Sequence, residues 1–225
     1  LKSIKDSIQN NLKKIYKIEY KIINFKEYGS NSSRTRTLVI GVRNDVRIDP
    51  NILFPEKQTP KTIKETNDRH FLWMNNTKEG ECAFNNKDIN HIPHTINKDG
   101  KRKEMNKNMG GKFYKLKWNQ HMQCIHTRND SVNSQFTVHP TDTRVFSIRE
   151  LMIFQGMNKN FKWSNESYKD LNRLSLEKKQ NWLKKNERLI RTVIGESVPT
   201  IIFQQIAKNI KLALNLNNIK KGLNI

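Results

Sequence analysis

Cysteine is scarce in this chain of 225 residues: there are two, Cys82 and Cys124. They lie far apart with no Cys or His at finger-like spacing, which argues against a disulfide framework or a structural zinc site and points to a reducing compartment. Nowhere does an apolar run approach the ~18 residues that a membrane-spanning helix needs. The opening residues, Leu1-Lys2-Ser3-Ile4-Lys5-Asp6, hold no signal-peptide apolar region. Secreted and membrane-spanning classes therefore fit poorly. Acidic residues are also few, 21 against 42 Lys and Arg, so the formal charge is +21. Such an excess favours a polyanionic partner, because each cation that neutralises a phosphate releases condensed counterions. Nucleic acid is the first candidate, although adenine- and thymine-rich coding alone would also enrich Lys, Asn and Ile. Apolar residues reach only 35%, below the usual ~45–50%. A chain of this length can bury roughly 70% of its unfolded surface, so its core is lean or shared with another body. It opens on Leu1 rather than Met, and we expect it to be a piece of a longer protein.

What is present begins with helical periodicity. Leu1, Ile4, Ile8, Leu12 and Ile15 recur at three- and four-residue steps, which predicts an amphipathic helix ending near Tyr16. Alternation at Ile18, Tyr20 and Ile22, and the β-branched run from Thr37 to Val42, predict two strands. Between them lies a polar loop, Glu27-Tyr28-Gly29-Ser30-Asn31-Ser32-Ser33-Arg34-Thr35-Arg36. From about Asn44 to Val138 periodicity fades, and dispersed prolines with bulky residues such as Trp73 and Trp118 suggest a small irregular domain of short strands and loops. Ser147 and Glu150 have capping-box spacing with Phe146 and Leu151 as a hydrophobic staple, so a helix should start at Ile148 and stop near Gly156. A Lys-rich helix should run from about Leu176 to Ile194, broken by Gly195. Pro199 then marks a last helix with Ile202, Ile206, Ile210 and Ala213 on one face.

Three of these segments, in order, resemble the C-terminal conserved blocks of DNA cytosine-5 methyltransferases. Tyr28-Gly29 through Ser32, Arg34 and Arg36, followed by Leu38-Val39-Ile40-Gly41, resembles the eighth block. Arg144-Val145-Phe146-Ser147-Ile148-Arg149-Glu150-Leu151 with Gln155-Gly156 resembles the ninth, and Ile194-Gly195-Glu196-Ser197-Val198-Pro199 the tenth. Departures from the family pattern fall at Asn31, Ser32 and Glu196, where Pro, Gln and Asn are usual. No Pro-Cys dipeptide occurs: Cys82 follows Glu81 and Cys124 follows Gln123.

The resemblance implies an α/β fold. It would be the C-terminal part of a Rossmann-like S-adenosylmethionine-dependent methyltransferase sheet with a small irregular β-rich target-recognition lobe. Residues 1–48 would end the catalytic domain, 49–138 would form the recognition domain, and 139–225 would return to the catalytic domain. The implied function is methyl transfer from S-adenosylmethionine to C5 of a flipped cytosine in double-stranded DNA, in a bacterial restriction-modification setting, cytoplasmic and nucleoid-associated, with no membrane partner. Without Pro-Cys, the chain by itself should be inactive and should require an N-terminal half. The alternative is a non-enzymatic basic nucleic-acid-binding protein or an inactive remnant. By position, Arg36 and Arg34 resemble the catalytic pair, one holding the cytosine edge and the other bracing the active-site loop. Gly195, Glu196 and Ser197 are the candidates for cofactor contact. Arg144, Arg149 and Glu150 are expected to be structural. For DNA, the candidates are Gly110, Gly111, Lys112, Lys115, Lys117, Thr127, Arg128 and Asn129, because arginine and asparagine can read base edges while lysines mostly contact phosphates. His91 and His94 are read as surface residues rather than metal ligands. Phe154, Phe161, Trp163 and Trp182 are read as core.

Overall fold

The structure, a computed structural model, describes residues 2–66, 94–96, 102–104, 116–130, 138–141, 145–158, 161–165 and 168–222. The chain divides into two compact units, one of Leu1–Gly29, Arg34–Thr59 and Thr200–Ile225, the other of Ser30–Ser33 and Pro60–Pro199.

In the first unit, helix α1 (Lys2–Leu12) leads through a turn into β1 (Tyr16–Asn24), which pairs antiparallel with β2 (Thr35–Arg43). The helix ends a turn earlier than its apolar spacing predicts, because Ile15 and Tyr16 are taken into the turn and the strand. The register sets Ile23 opposite Arg36, Lys21 opposite Leu38 and Lys17 opposite Val42. Directly paired residues share a face. The face bearing Ile23 and Val42 is therefore the covered one, and Ile22 and Val39 lie on the other, 73% and 47% exposed. Helix α6 (Thr200–Gly222) supplies Ile202, which packs with Ile23 and Phe25, and Ala213, which packs with Val42, Ile48 and Leu53. Two carboxamides fix it further: Gln205 Nε2 donates to the Tyr28 carbonyl at 2.7 Å and Asn209 Nδ2 to the Phe54 carbonyl at 2.9 Å. Of the predicted helix face, Ile202 and Ala213 are buried and Ile206 packs partly, while Ile210 stays 39% exposed.

The second unit holds a single helical turn, α2 (63–66), two short paired strands, β3 (His94–Ile96) and β4 (Arg102–Glu104), and helices α3 (Ile148–Phe154), α4 (Tyr168–Arg173) and α5 (Leu176–Glu196). Thr62 and Glu65 cap α2 reciprocally, each side chain accepting the other's backbone N–H, at 3.2 and 2.7 Å. The same device starts α3 at the predicted residue. Ser147 Oγ accepts from Glu150 N at 3.2 Å, and Glu150 Oε2 accepts from Ser147 N at 2.6 Å. The helix stops where Gly156 takes φ +70°. Every residue of α3 is buried. It packs with Ile63, Leu116, Met122 and Ile125 on one side of the sequence and Leu183, Ile190 and Ile194 of α5 on the other. Trp118, His139, Phe146 and Phe154 form a chain of edge-to-face rings with centroids 5.3–5.4 Å apart, the geometry favoured by the ring quadrupole. Phe154 is core as expected, and Trp163 and Trp182 pack partly against the core. Phe161 is a correction: it is 44% exposed and covers Trp163 from outside, with ring centroids 4.8 Å apart.

Candidate active site and nucleic-acid interface

The polar loop of the eighth block is divided between the units: Ser30–Ser33 belong to the second, and Gly29, Arg34 and Arg36 to the first. Gly29 sits at φ +92°, closing the 3-10 turn Phe25–Tyr28, and a Cβ there would fall 2.7 Å from Gln58 Oε1. Only glycine meets both demands without strain. Asn24 holds the two sides of this turn, its Oδ1 accepting from Lys26 N at 3.3 Å and Arg34 N at 3.2 Å. Arg34 is half-buried with its Nε fully enclosed. Arg36, the second residue of β2, lies on the covered face of the hairpin but is itself exposed, its Nη1 donating to the Thr35 carbonyl at 2.7 Å.

Within the second unit, the three blocks converge on one buried carboxamide. Gln155, at the end of α3, donates through Nε2 to Ser197 O at 2.7 Å and Ser197 Oγ at 2.9 Å, while its Oε1 accepts from Ser32 Oγ at 3.5 Å. Ser197 Oγ in turn donates to Ile194 O at 2.7 Å. The loop is held at further points. Asn31 Nδ2 donates to Ile153 O at 3.0 Å, Ser33 N to Met122 O at 2.8 Å, and Ser30 Oγ to Ser32 O at 3.0 Å. Asn31 and Ser32, two of the departures from the family pattern, thus have defined partners in the ninth-block helix and its end. Gln155 is the residue that reading the blocks separately undervalues. Its Q-G signature marks it in the sequence, but its partners lie 123 and 42 positions away.

The tenth-block candidates differ among themselves. Helix α5 does not break at Gly195; it runs on to Glu196 and is capped at Ser197. A Cβ on Gly195 would lie 2.5–2.6 Å from backbone atoms of His126 and Thr127, so the missing side chain admits the protein's own backbone. Ser197 is engaged by Gln155. Glu196 is exposed, and of the three it alone offers a side chain to a ligand.

The 127–130 turn separates the DNA candidates. Thr127 and Arg128 are exposed, with Arg128 Nε 3.1 Å from Asp130 Oδ1, and Lys117 is exposed as well. Asn129 stands apart from them. It is 2% exposed, its Nδ2 donates to His126 O at 2.7 Å and Arg191 O at 2.8 Å, and its Oδ1 accepts from Arg191 Nη1 at 3.2 Å. With both amide hydrogens used internally and the side chain buried, Asn129 has no donor to offer a base in this structure. Gly110, Gly111, Lys112 and Lys115 lie outside the described residues, as do Arg144 and His91; of His94 only the backbone, in β3, is described.

Arg149 and Glu150 are buried, both 4% exposed. Beyond its capping role, Glu150 places Oε1 3.7 Å from Nε2 of buried His139. Among the described residues, the most deeply buried cation is one the sequence does not signal. Arg191, 1% exposed, donates to Glu187 Oε1 at 2.7 Å and Phe146 O at 2.9 Å as well as to Asn129. Desolvation lowers its pKa, opposed chiefly by Glu187 and more weakly by Asp130 and Glu150.

The model of the C-5 cytosine-specific DNA methylase family matches residues 1–212. A curated relative, the Type II methyltransferase M1.HgaI of Avibacterium volantium, is 24% identical over 93% of this chain and 60% of its own length. A solved structure described as a candidate DNA modification methyltransferase encoded within an E. coli prophage superposes with TM-score 0.50 at 16% identity, over 95% of this chain and 65% of that one. The chain belongs to the C-5 cytosine-specific DNA methylase family, and it spans about three fifths of the length of the curated relative.

Proposed function

We propose that the chain is the C-terminal portion of a DNA cytosine-5 methyltransferase of a bacterial restriction-modification system, acting in the cytoplasm at the nucleoid. Residues 1–48 and 139–225 would complete a Rossmann-like catalytic sheet, and 49–138 would recognise the target sequence in double-stranded DNA. The observation that carries this reading is the meeting of the eighth, ninth and tenth blocks at Gln155, since a basic protein that only binds nucleic acid has no need to tie those three segments together. The nucleophilic cysteine would come from an N-terminal half, in the same polypeptide or a separate subunit.

Cytosine C5 is a weak nucleophile. The base leaves the duplex stack, and a thiolate adds to C6, which makes C5 enamine-like. S-adenosylmethionine, when bound, supplies the methyl group as a sulfonium; loss of the C5 proton then expels the thiolate. Arg36 would donate two hydrogen bonds to the O2 and N3 edge of the flipped ring and offset the negative charge that arrives with the thiolate, and Arg34 would brace the loop. The fit to the cofactor is partial. Glu196 is free to face a cationic ammonium group, but Gly195 and Ser197 are committed to the protein's own contacts.

The test combines the chain with a polypeptide that carries the family's Pro-Cys nucleophile, labelled S-adenosylmethionine and duplex DNA. Methyl transfer is expected, and Arg36→Ala should lower turnover by about 10²-fold or more while leaving duplex affinity nearly unchanged. Equal losses in both would make Arg36 a binding residue only. No transfer from two folded halves would favour the inactive remnant.

A further inference from the structure

Helix α5 carries a stripe at Lys184, Arg188, Arg191 and Gly195, spaced by four, three and four residues and therefore on one side of the helix. Its C-terminal half is covered. The 126–129 turn lies against Gly195 and is hydrogen-bonded to Arg191. Its N-terminal half, with Lys185 beside it, is open: Lys184, Lys185 and Arg188 are all exposed. Among the described residues none of these three has an ion pair. The anion that would balance them, Glu187, is turned inward to buried Arg191. Arg191 thus does two things at once: it ties α5 to the 126–129 turn and occupies the neighbouring carboxylate, Glu187. The turn carrying Thr127 and Arg128 follows directly along the stripe.

We propose that Lys184, Lys185 and Arg188 form a phosphate-contact surface that extends the Arg128 turn and anchors the backbone of duplex DNA without reading its sequence. Three cations over five residues of helix span ~6 Å, close to the distance between successive phosphates on a strand, and lysine suits phosphate contact as a mobile point charge. The inference rests on the reading of the chain as a DNA-binding methyltransferase portion, and it is tested so that the two can fail separately.

Binding of a labelled duplex would be measured across salt concentration for the wild-type chain, for K184Q/K185Q/R188Q and for K13Q/K14Q/K17Q, which removes three exposed cations of the first unit. Each phosphate contact contributes about 0.9 to the slope of log affinity against log salt. The α5 variant should therefore lose about 2 to 3 from that slope, equally for unrelated duplex sequences, with an unchanged melting temperature. The control variant should lose much less. An unchanged slope in the α5 variant, an equal loss in the control, or a loss confined to one DNA sequence would each overturn the α5 surface while leaving the methyltransferase reading standing. Failure of the wild-type chain to bind any duplex would instead count against that reading itself.

Discussion

At Gly195 two opposing effects of a single methyl group can be weighed. Alanine is favoured over glycine inside a helix by about 1 kcal/mol, and Gly195 is within α5. Yet the added Cβ would overlap three backbone atoms of His126 and Thr127, and backbone cannot swing aside as a side-chain tip can. Overpacking of this kind costs typically about 1–3 kcal/mol, and overlap with backbone lies at the upper end, so Gly195→Ala should be destabilising by about 1–2 kcal/mol net. Denaturant unfolding would read this as a lower midpoint at constant slope. A variant more stable than wild type would mean that the turn does not press against the helix. Asn129 and Arg191 make the complementary point, because each satisfies the other in the same packed region. As letters in a sequence, both suit DNA contact. Burial decides otherwise, since a buried amide or guanidinium must spend its hydrogen bonds where it lies.

Among the elements, those with local signals were legible. The start of α3 follows from Ser147, Glu150, Phe146 and Leu151 alone, because a capping box satisfies backbone donors within four residues. Ser147→Ala should cost roughly 1–2 kcal/mol, because both Ser147 and Glu150, whose N–H it accepts, are buried. A change within experimental error would show that α3 is held by packing alone. The equivalent Thr62–Glu65 box at α2 is present in the sequence with the same spacing but lies in a stretch without hydrophobic periodicity, where a single turn leaves no repeating stripe. Strands β1 and β2 were legible as elements from alternation and β-branching. Their nine-residue register was not, because pairing depends on the partner strand. The extension of α5 through Gly195 was misread for a similar reason: the glycine answers to the 126–127 backbone, not to a helix terminus.

For the whole molecule, the lean composition leaves visible apolar surface. In the first unit, Tyr20, Ile22 and Val39 are exposed on one face of the hairpin, and Phe203, Leu212, Leu214 and Leu216 are 43–59% exposed along α6. β1 and β2 form a two-stranded sheet, and such a pair is marginal without further covering. The isolated chain should therefore self-associate or require a partner for solubility. A sharp, concentration-independent monomer in sedimentation, with cooperative melting, would contradict this. No helix among the described residues is long and apolar enough to cross a membrane, so these residues are not accounted for by a helical span.

The sequence by itself determined the family, the order of its three blocks, the position of the paired arginines and the start of α3. Each of these is written in residues at short spacing, where local hydrogen bonding and side-chain periodicity act directly. Only the tertiary structure decided that Gln155 gathers those blocks, that Asn129 and Gly195 are in close contact with the protein's own groups, and that Glu187 pairs with buried Arg191. These depend on desolvation and close contact between residues dozens of positions apart, and a linear chain carries no local mark of which polar groups folding will deprive of water.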